Sequence, residues 1–336
     1  MIGIAAGSFA QTQQPETPTP RLVTQLNDWW QCTQEQPPPL INFDVTAEVT
    51  FFDPAWRSMW VVERDTGSFV SISDPSLSIK PGQKIRMHGS FVPTPTLSTS
   101  QFQITVLGES APATPVATAG DVTNFNRFQH LLVRMEGVVE SQVTVDFAHI
   151  RLSLLSEGNA FETTVLIGPT ELVPALTGAV VAVDGIYAGK FEKDGTRSKG
   201  TSLWVQSFRA VKVIGWVASD PRLLLPLTPL AQLASTANGE WLHTSGKLVA
   251  SEPGVSLTLE DSGHRLIAHG AQRVLPAIGE SVNVVGRLAR VGNTVSLEEA
   301  IVPATINSEP NQNHGPPTLT SLATWWEITT DRKSVV

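Results

Sequence analysis

The sequence predicts a mainly β chain: three tandem five-stranded barrels with short helical lead-in segments. Three observations carry that expectation. A pair of glycines seven residues apart occurs three times, at Gly82/Gly89, Gly178/Gly185 and Gly279/Gly286, each pair enclosing an alternating apolar run. Equal spacing in three copies is the mark of a repeated module. Runs of period-two alternation recur along the chain, with Gly, Pro, Asn and Asp turns between them. Finally, 25 Gly and 24 Pro sit beside only 16% charged residues, a mix suited to short strands and many turns.

The length of 336 residues accommodates two or three domains, and 41% hydrophobic residues suffice for packed cores. A net charge of −8 disfavours nucleic acid, where the phosphate backbone dominates affinity, and disfavours an anionic membrane surface. Cys32 is the single cysteine, so no intramolecular disulfide or cysteine-based metal cluster forms, and it reads as a partly buried packing residue. Residues 1–20 are expected to be a signal-peptide remnant and linker. Met1–Ala10 is apolar and Ser8-x-Ala10 has the small-x-small form of a cleavage site, but the basic n-region is missing, which places the start upstream. No run reaches the roughly 18 apolar residues of a membrane-spanning helix.

The first module and its lead-in are placed at 21–110. In the lead-in, Leu22, Leu26, Trp29 and Trp30 stand at helical spacing. Phe43, Val45, Ala47, Val49 and Phe51 then alternate with polar residues as one half-buried strand. Met59–Glu63 and Ser68–Ile72 are the next strands, joined by Asp65-Thr66-Gly67 with the glycine supplying positive φ. Pro81-Gly82 opens the fourth, with Ile85 and Met87 on one face and Lys84, Arg86 and His88 on the other, and Gln101–Leu107 is the fifth. The second module, with its linker, is placed at 111–216. Gly137 stands there for Ala47, Ser156–Asn159 replaces the Asp-Thr-Gly turn, and a long loop from Lys190 to Lys199 joins its last two strands. The third, at 217–302, has a lead-in with Leu230 and Leu233, and Asp261-Ser262-Gly263 answers Asp65-Thr66-Gly67. Residues 303–336 read as a linker and the start of a truncated fourth module, because Leu322-x-x-Trp325-Trp326 repeats Leu26-x-x-Trp29-Trp30.

This order of strands and turns resembles the OB-fold family. Tandem copies behind a Leu-x-x-Trp-Trp lead-in resemble the extracytoplasmic sensor region of large bacterial membrane-anchored sensor histidine kinases. The resemblance spans roughly residues 20 to 336, strongest in the first module and weakest in the second. It implies a periplasmic or extracytoplasmic sensory region of a two-component system, whose membrane helix and kinase core would lie in further sequence. It implies no cofactor, membrane contact only through that further sequence, and room for a homodimer in a full-length receptor. His130, in Phe128-Gln-His-Leu-Leu132, lacks the acidic neighbour and helical setting of a phosphoacceptor box.

No enzyme signature emerges. There is no Gly-x-Ser-x-Gly elbow and no phosphate-binding glycine loop. His243, His264 and His269 lack the companions zinc needs, and Asp65 and Asp261 read as turn residues. Aromatics and a basic stretch remain. OB barrels bind ligands across the strand 2–3 face and its rim loops, where aromatics stack on bases or sugars. Trp56 lies in the strand 1–2 loop and weighs a ligand or partner contact against packing. For Trp60, core packing or contact with Trp29-Trp30 competes with a ligand role. Lys190 and Lys193 offer an anion contact, against a plainly solvated loop. These four are the ligand-binding candidates; no catalytic or metal residue is assigned. The expected partner is a small ligand or an extracytoplasmic protein. The alternative is a secreted OB-fold protein binding polysaccharide or single-stranded nucleic acid.

Overall fold

A computed structural model describes residues 19–191, 197–219, 221–292 and 294–303. The first module contains β1 (Arg21–Val23), α1 (Leu26–Gln34), β2 (Ile41–Asp53), β3 (Ser58–Glu63), β4 (Thr66–Ser71), β5 (Gln83–Phe91), β6 (Leu97–Ser98) and β7 (Gln103–Glu109). The second contains β8 (Val116–Ala117), α2 (Phe125–Phe128), β9 (Leu132–Asp146), β10 (His149–Ser156), β11 (Asn159–Leu166), β12 (Ala179–Phe191), β13 (Arg197–Val205) and β14 (Val211–Trp216). The third contains β15 (Trp241–Glu252), β16 (Ser256–Asp261), β17 (His264–His269), β18 (Ser281–Val291) and β19 (Thr294–Ile301). The chain is mainly β, built from three OB-like modules. Among the described residues no helix is long and apolar enough to cross a membrane.

The second and third modules are closed five-stranded barrels, ordered β9-β10-β11-β13-β12 and β15-β16-β17-β19-β18. In both, the third and fifth strands pair parallel, as an OB barrel requires. The first module follows the same plan with its fifth strand broken in two. Short β6 pairs parallel with β4, and β7 pairs antiparallel with β5. A polar turn separates the pieces, with Gln101 N–H donating to the Ser98 carbonyl at 2.9 Å and Ser98 N–H to Gln101 Oε1 at 2.9 Å. It turns Phe102 into the core against Phe43, 5.8 Å between centroids. The strand expected at Gln101–Leu107 is β7, starting two residues later at Gln103, and the short β6 upstream supplies the parallel pairing with β4.

The glycine pairs do two separate jobs. Gly82, Gly178 and Gly279 have φ of 85°, 84° and 99°, a region that penalises a Cβ. Their amides donate to Val49, Val139 and Leu248 on the first strand of each module, at 2.8, 2.8 and 2.7 Å. Gly89, Gly185 and Gly286 lie where the fourth strand meets the fifth. A Cβ at Gly89 would land on the Gln101 carbonyl oxygen; at Gly185 and Gly286 it would come within 2.9 Å of Val205 and 3.0 Å of Leu297. Between each pair, Ile85, Val181 and Val282, then Met87, Val183 and Val284, point into the cores. Lys84, Arg86 and His88 are exposed, and Arg86 forks onto Asp44 with two bonds of 2.6 Å.

A β-bulge breaks the first strand of every module just after the residue that accepts the glycine amide. The register skips Thr50 in β2, Glu140 in β9 and Val249 in β15. One extra residue reverses which side chains face inward. In β2 this puts Phe52 in the barrel core and Phe51 outside it, correcting the expectation that Phe51 continues the inward row of Phe43 to Val49. In β9 the bulge residue Glu140 reaches the third module. Its carboxylate accepts from the Arg273 N–H, from the Val274 N–H at 3.0 Å and from Ser153 Oγ at 3.0 Å.

Other details differ from the sequence reading. Leu22 lies on β1 and is exposed, because the helix starts only at Leu26; Leu26, Trp29 and Cys32 form its fully buried face. The β3–β4 turn is centred on Arg64 and Asp65, with positive φ at Arg64, so Gly67 is a strand residue. In the third module the turn is centred on Ser262 and Gly263. Asp65 and Asp261 are therefore not equivalent: one lies inside its turn and the other precedes it. Both described ends of the loop expected from Lys190 to Lys199 are strand, with β12 running to Phe191, β13 starting at Arg197, and those two residues paired. Strands β1, β8 and β14, with the short α2, were not anticipated, while β17 is the third strand that the five-stranded plan requires after Asp261-Ser262-Gly263.

Gly89→Ala is expected to destabilise the first module by about 1–3 kcal/mol through overpacking against backbone. Urea unfolding of the full chain checks this; an unchanged midpoint contradicts the close-approach role.

Candidate inter-barrel cleft

Strand parity sets the first residues of the site. Met59 and Val61 are buried in the core of the first module, so Trp60 between them faces outward. Leu203 and Val205 likewise point into the second barrel, leaving Trp204 on its outer face. Together with Phe51, these rings meet where the two modules touch. Trp60 lies 5.3 Å from Phe51, 4.9 Å from Phe69 and 5.1 Å from Trp204, centroid to centroid. Ile186 and Ala188 of β12 complete this small apolar cluster. Edge-to-face and tilted packing of this kind matches the quadrupoles of the rings.

Polar contacts lock the same junction. The Gln206 side-chain amide pairs with the Phe52 backbone as a neighbouring strand would, Oε1 accepting at 2.9 Å and Nε2 donating at 3.2 Å. Asp53 is fully buried; its Oδ1 accepts from the Ala55 and Trp56 amides at 3.0 and 3.2 Å, shaping the turn after β2. Its Oδ2 meets His149 Nε2 of the second module at 2.8 Å. His149 Nδ1 meets Asp146 Oδ1 at 2.7 Å, and Asp146 Oδ2 accepts from Trp56 Nε1 at 2.9 Å. Trp56 stacks flat on His149, 3.8 Å between centroids and 21° between planes. Burial works against charge on His149, but the carboxylates of Asp53 and Asp146 outweigh it and hold the ring above its ordinary value of 6.5. Burial pushes the Asp146 carboxyl up, while the Ala148 amide, His149 and Trp56 together bring it below its ordinary value.

The linker closes the other side. His130 adopts φ of 62°, and its N–H donates to the Tyr187 carbonyl at 2.7 Å. Its backbone lies against Gly67, where a Cβ would collide with the His130 carbonyl, which is why that position is glycine. The ring stacks on Trp30 of α1 at 6.3 Å. Burial, partly opposed by a hydrogen bond with the Gly67 backbone, drives the His130 ring down to about 4. It is neutral at physiological pH.

Between the modules lies a cleft of about 1020 Å³. Trp30, Trp56, Phe69 and Trp204 form its half-exposed aromatic lining, and Trp60, only 4% exposed, lies at their base. The polar lining includes Arg151 and Glu162, which pair across β10 and β11 at 3.3 Å. Trp56 and Trp60 are thus brought together. Trp60 sits on the outer face of its barrel, outside the barrel core but buried in the junction cluster with Phe51, Phe69 and Trp204. Lys190 is next to last in β12, adjoining cleft residue Gly189, and its side chain is not among those described. Lys193 lies outside the described residues. Sequence reasoning missed Trp204, Phe69, Trp30, His130 and the Asp53–His149–Asp146 clamp. Only the two outward tryptophans left a signal, through their parity on strands.

No family model and no curated relative matches the chain. Similar solved structures include the telomere capping protein Ten1 from Saccharomyces pombe, 19% identical over 32% of this chain and 97% of that one, TM-score 0.20. The p204 HINb domain is 13% identical over 52% and 96%, TM-score 0.21. A murine DNA-binding protein bound with double-stranded DNA is 10% identical over 50% and 93%, TM-score 0.20.

The junction should be most stable near neutrality. His149, raised, contributes fully below 6.5 and loses its contribution as pH climbs through its raised value. His130, lowered, contributes fully above 6.5 and loses its contribution as pH falls toward about 4; Asp146 adds to that acid loss. His149→Gln should cost roughly 3–5 kcal/mol in mildly acid buffer by stranding buried Asp53, with the deficit shrinking at alkaline pH. Thermal melting across pH tests this, and a deficit independent of pH contradicts it.

Proposed function

We propose that this chain is a non-catalytic sensory and ligand-binding region, acting outside the cytoplasmic membrane as the input part of a two-component receptor. The observation that carries it is the joint ownership of one aromatic cleft. Trp56, Trp60 and Phe69 come from the first module, and Trp204, Arg151 and Glu162 from the second. A ligand seated there touches both modules, so its binding free energy depends on how they are arranged. A ligand shifts a conformational equilibrium only by its differential affinity for the two states, and a shared cleft supplies that difference. The alternative, a secreted protein that simply retains polysaccharide or single-stranded nucleic acid, uses the same cleft without coupling to module arrangement.

A thermal-shift screen of chemically diverse small molecules should yield ligands that protect the backbone amides of 51–60 and 202–206 from hydrogen exchange. Spin labels at exposed Ser90 and Val143, one in each module, should then report a changed distance distribution on binding. Protection without any distance change favours the passive binder. Protection mapping elsewhere, or none at all, overturns the cleft as the functional site.

A further inference from the structure

We propose that the cleft between the first two modules is filled by the chain's own proline-bearing segment, residues 11–18, laid across the tryptophans as an extended polyproline II peptide. This rests on the ligand-binding reading above and adds its regulation: an external ligand enters by displacing a tethered occupant.

Position and reach favour this segment. The described chain starts at Thr19, and β1 follows at once. Arg21 Nη1 meets Glu35 Oε1 at 2.6 Å, which ties the point of entry to the C-terminal end of α1. Trp30 of the cleft wall sits on the same helix, five residues before Glu35 and so only about 7 Å away along the axis. Residues 11–18, at about 3.1 Å each in polyproline II form, reach about 25 Å. The far end of the described chain, Pro303, follows the third module, which contributes no residue to the described lining.

The composition fits the rings. The segment reads Gln-Thr-Gln-Gln-Pro-Glu-Thr-Pro, with Pro20 two residues on. Pro15 and Pro18 stand one full turn of a polyproline II helix apart, so both rings project from the same edge. Aromatic-lined grooves take such Pro-x-x-Pro segments, because the helix is preformed and loses little entropy on docking. Trp30, Trp56, Phe69 and Trp204 keep exposed ring surface in the cleft. The negative face of an aromatic ring attracts the slightly positive C–H groups of a pyrrolidine. His149 and Asp146 hold Trp56 from behind, so it is ordered before anything docks.

Hydrogen bonding points the same way. Trp60 lies at the base of the cleft, 4% exposed, and its buried indole N–H has no partner among the described residues. A donor left unpaired forfeits its hydration for nothing. A polyproline II peptide makes no internal hydrogen bonds, so its carbonyls are free to accept, and its prolines bring no N–H of their own. The segment thus supplies acceptors where the cleft holds an unmet donor. Tethering lowers the demand on each contact. A short flexible link holds the segment at a millimolar effective concentration, so contacts too weak to hold a free peptide still fill the cleft.

Hydrogen exchange on the full chain tests the occupant, with Pro15→Gly and Pro18→Gly introduced together. Both positions precede the first described residue, so the barrels are left untouched. The amides of 51–60 and 202–206 should exchange several-fold faster in the variant. A synthetic peptide of residues 11–20, added at millimolar concentration, should restore their protection. The same peptide should leave the unsubstituted chain unchanged, because its cleft is already filled. Equal exchange in the two chains overturns the self-docking. So does a peptide that protects both chains alike, which assigns the cleft to a partner's proline segment. Protection that grows with protein concentration overturns it too, by assigning the segment to a second copy. The cleft reading itself falls only if the wider ligand screen also protects none of these amides.

Discussion

A single skipped residue in the first strand of each module is the constraint on which the assembly depends. Side chains on a strand alternate with period two, so one unpaired residue exchanges inside for outside beyond it. At Thr50 the exchange delivers Phe51 to the outer wall, opposite Trp60, and creates an apolar patch for the second module. At Glu140 it delivers a carboxylate to the outer wall, where two amides of the third module take it. At Val249 no comparable contact is made among the described residues. The device is shared, and the residue it displays decides what the module can dock.

The two junctions accordingly differ in chemistry. The first is an aromatic cluster with a buried carboxylate–imidazole–carboxylate clamp, so it combines apolar burial with a charge arrangement sensitive to pH. Buried charges are costly unless paired, and Asp53 is paired twice over, with backbone amides and with His149. The second junction places one carboxylate on backbone N–H groups beside a smaller apolar cluster of Val138, Leu155 and Val217. Beside the first lies the cleft of about 1020 Å³, where aromatic rings that meet edge-on and at a tilt keep exposed surface.

Much of the barrel architecture was legible because it rests on local rules. Glycine at Gly82, Gly178 and Gly279 is demanded by positive φ, and alternation between Ile85 and Met87 reports the pleat. Where local rules leave a choice, reading failed. Gly67 looked like a turn glycine, yet its reason is a linker carbonyl from His130, more than sixty residues away. Asp65 and Asp261 looked equivalent by letter, yet the hairpin turns centre on different residues. The Lys190–Lys199 stretch looked like a loop because its charges hide strand extension set by cross-strand pairing.

The sequence by itself determined the repeated barrel plan and the fourth strands, since each follows from backbone geometry over a few residues; it left Trp60 undecided between core and ligand and passed over Trp204. Tertiary structure decided where the bulges fall, that Phe51 leaves its core, and that Asp53, His149 and Asp146 converge. Those outcomes depend on pairing register and on contacts between modules, which bring together residues about ninety positions apart. A cleft built from two modules exists only after both have folded and docked, and no short stretch of sequence carries its outline.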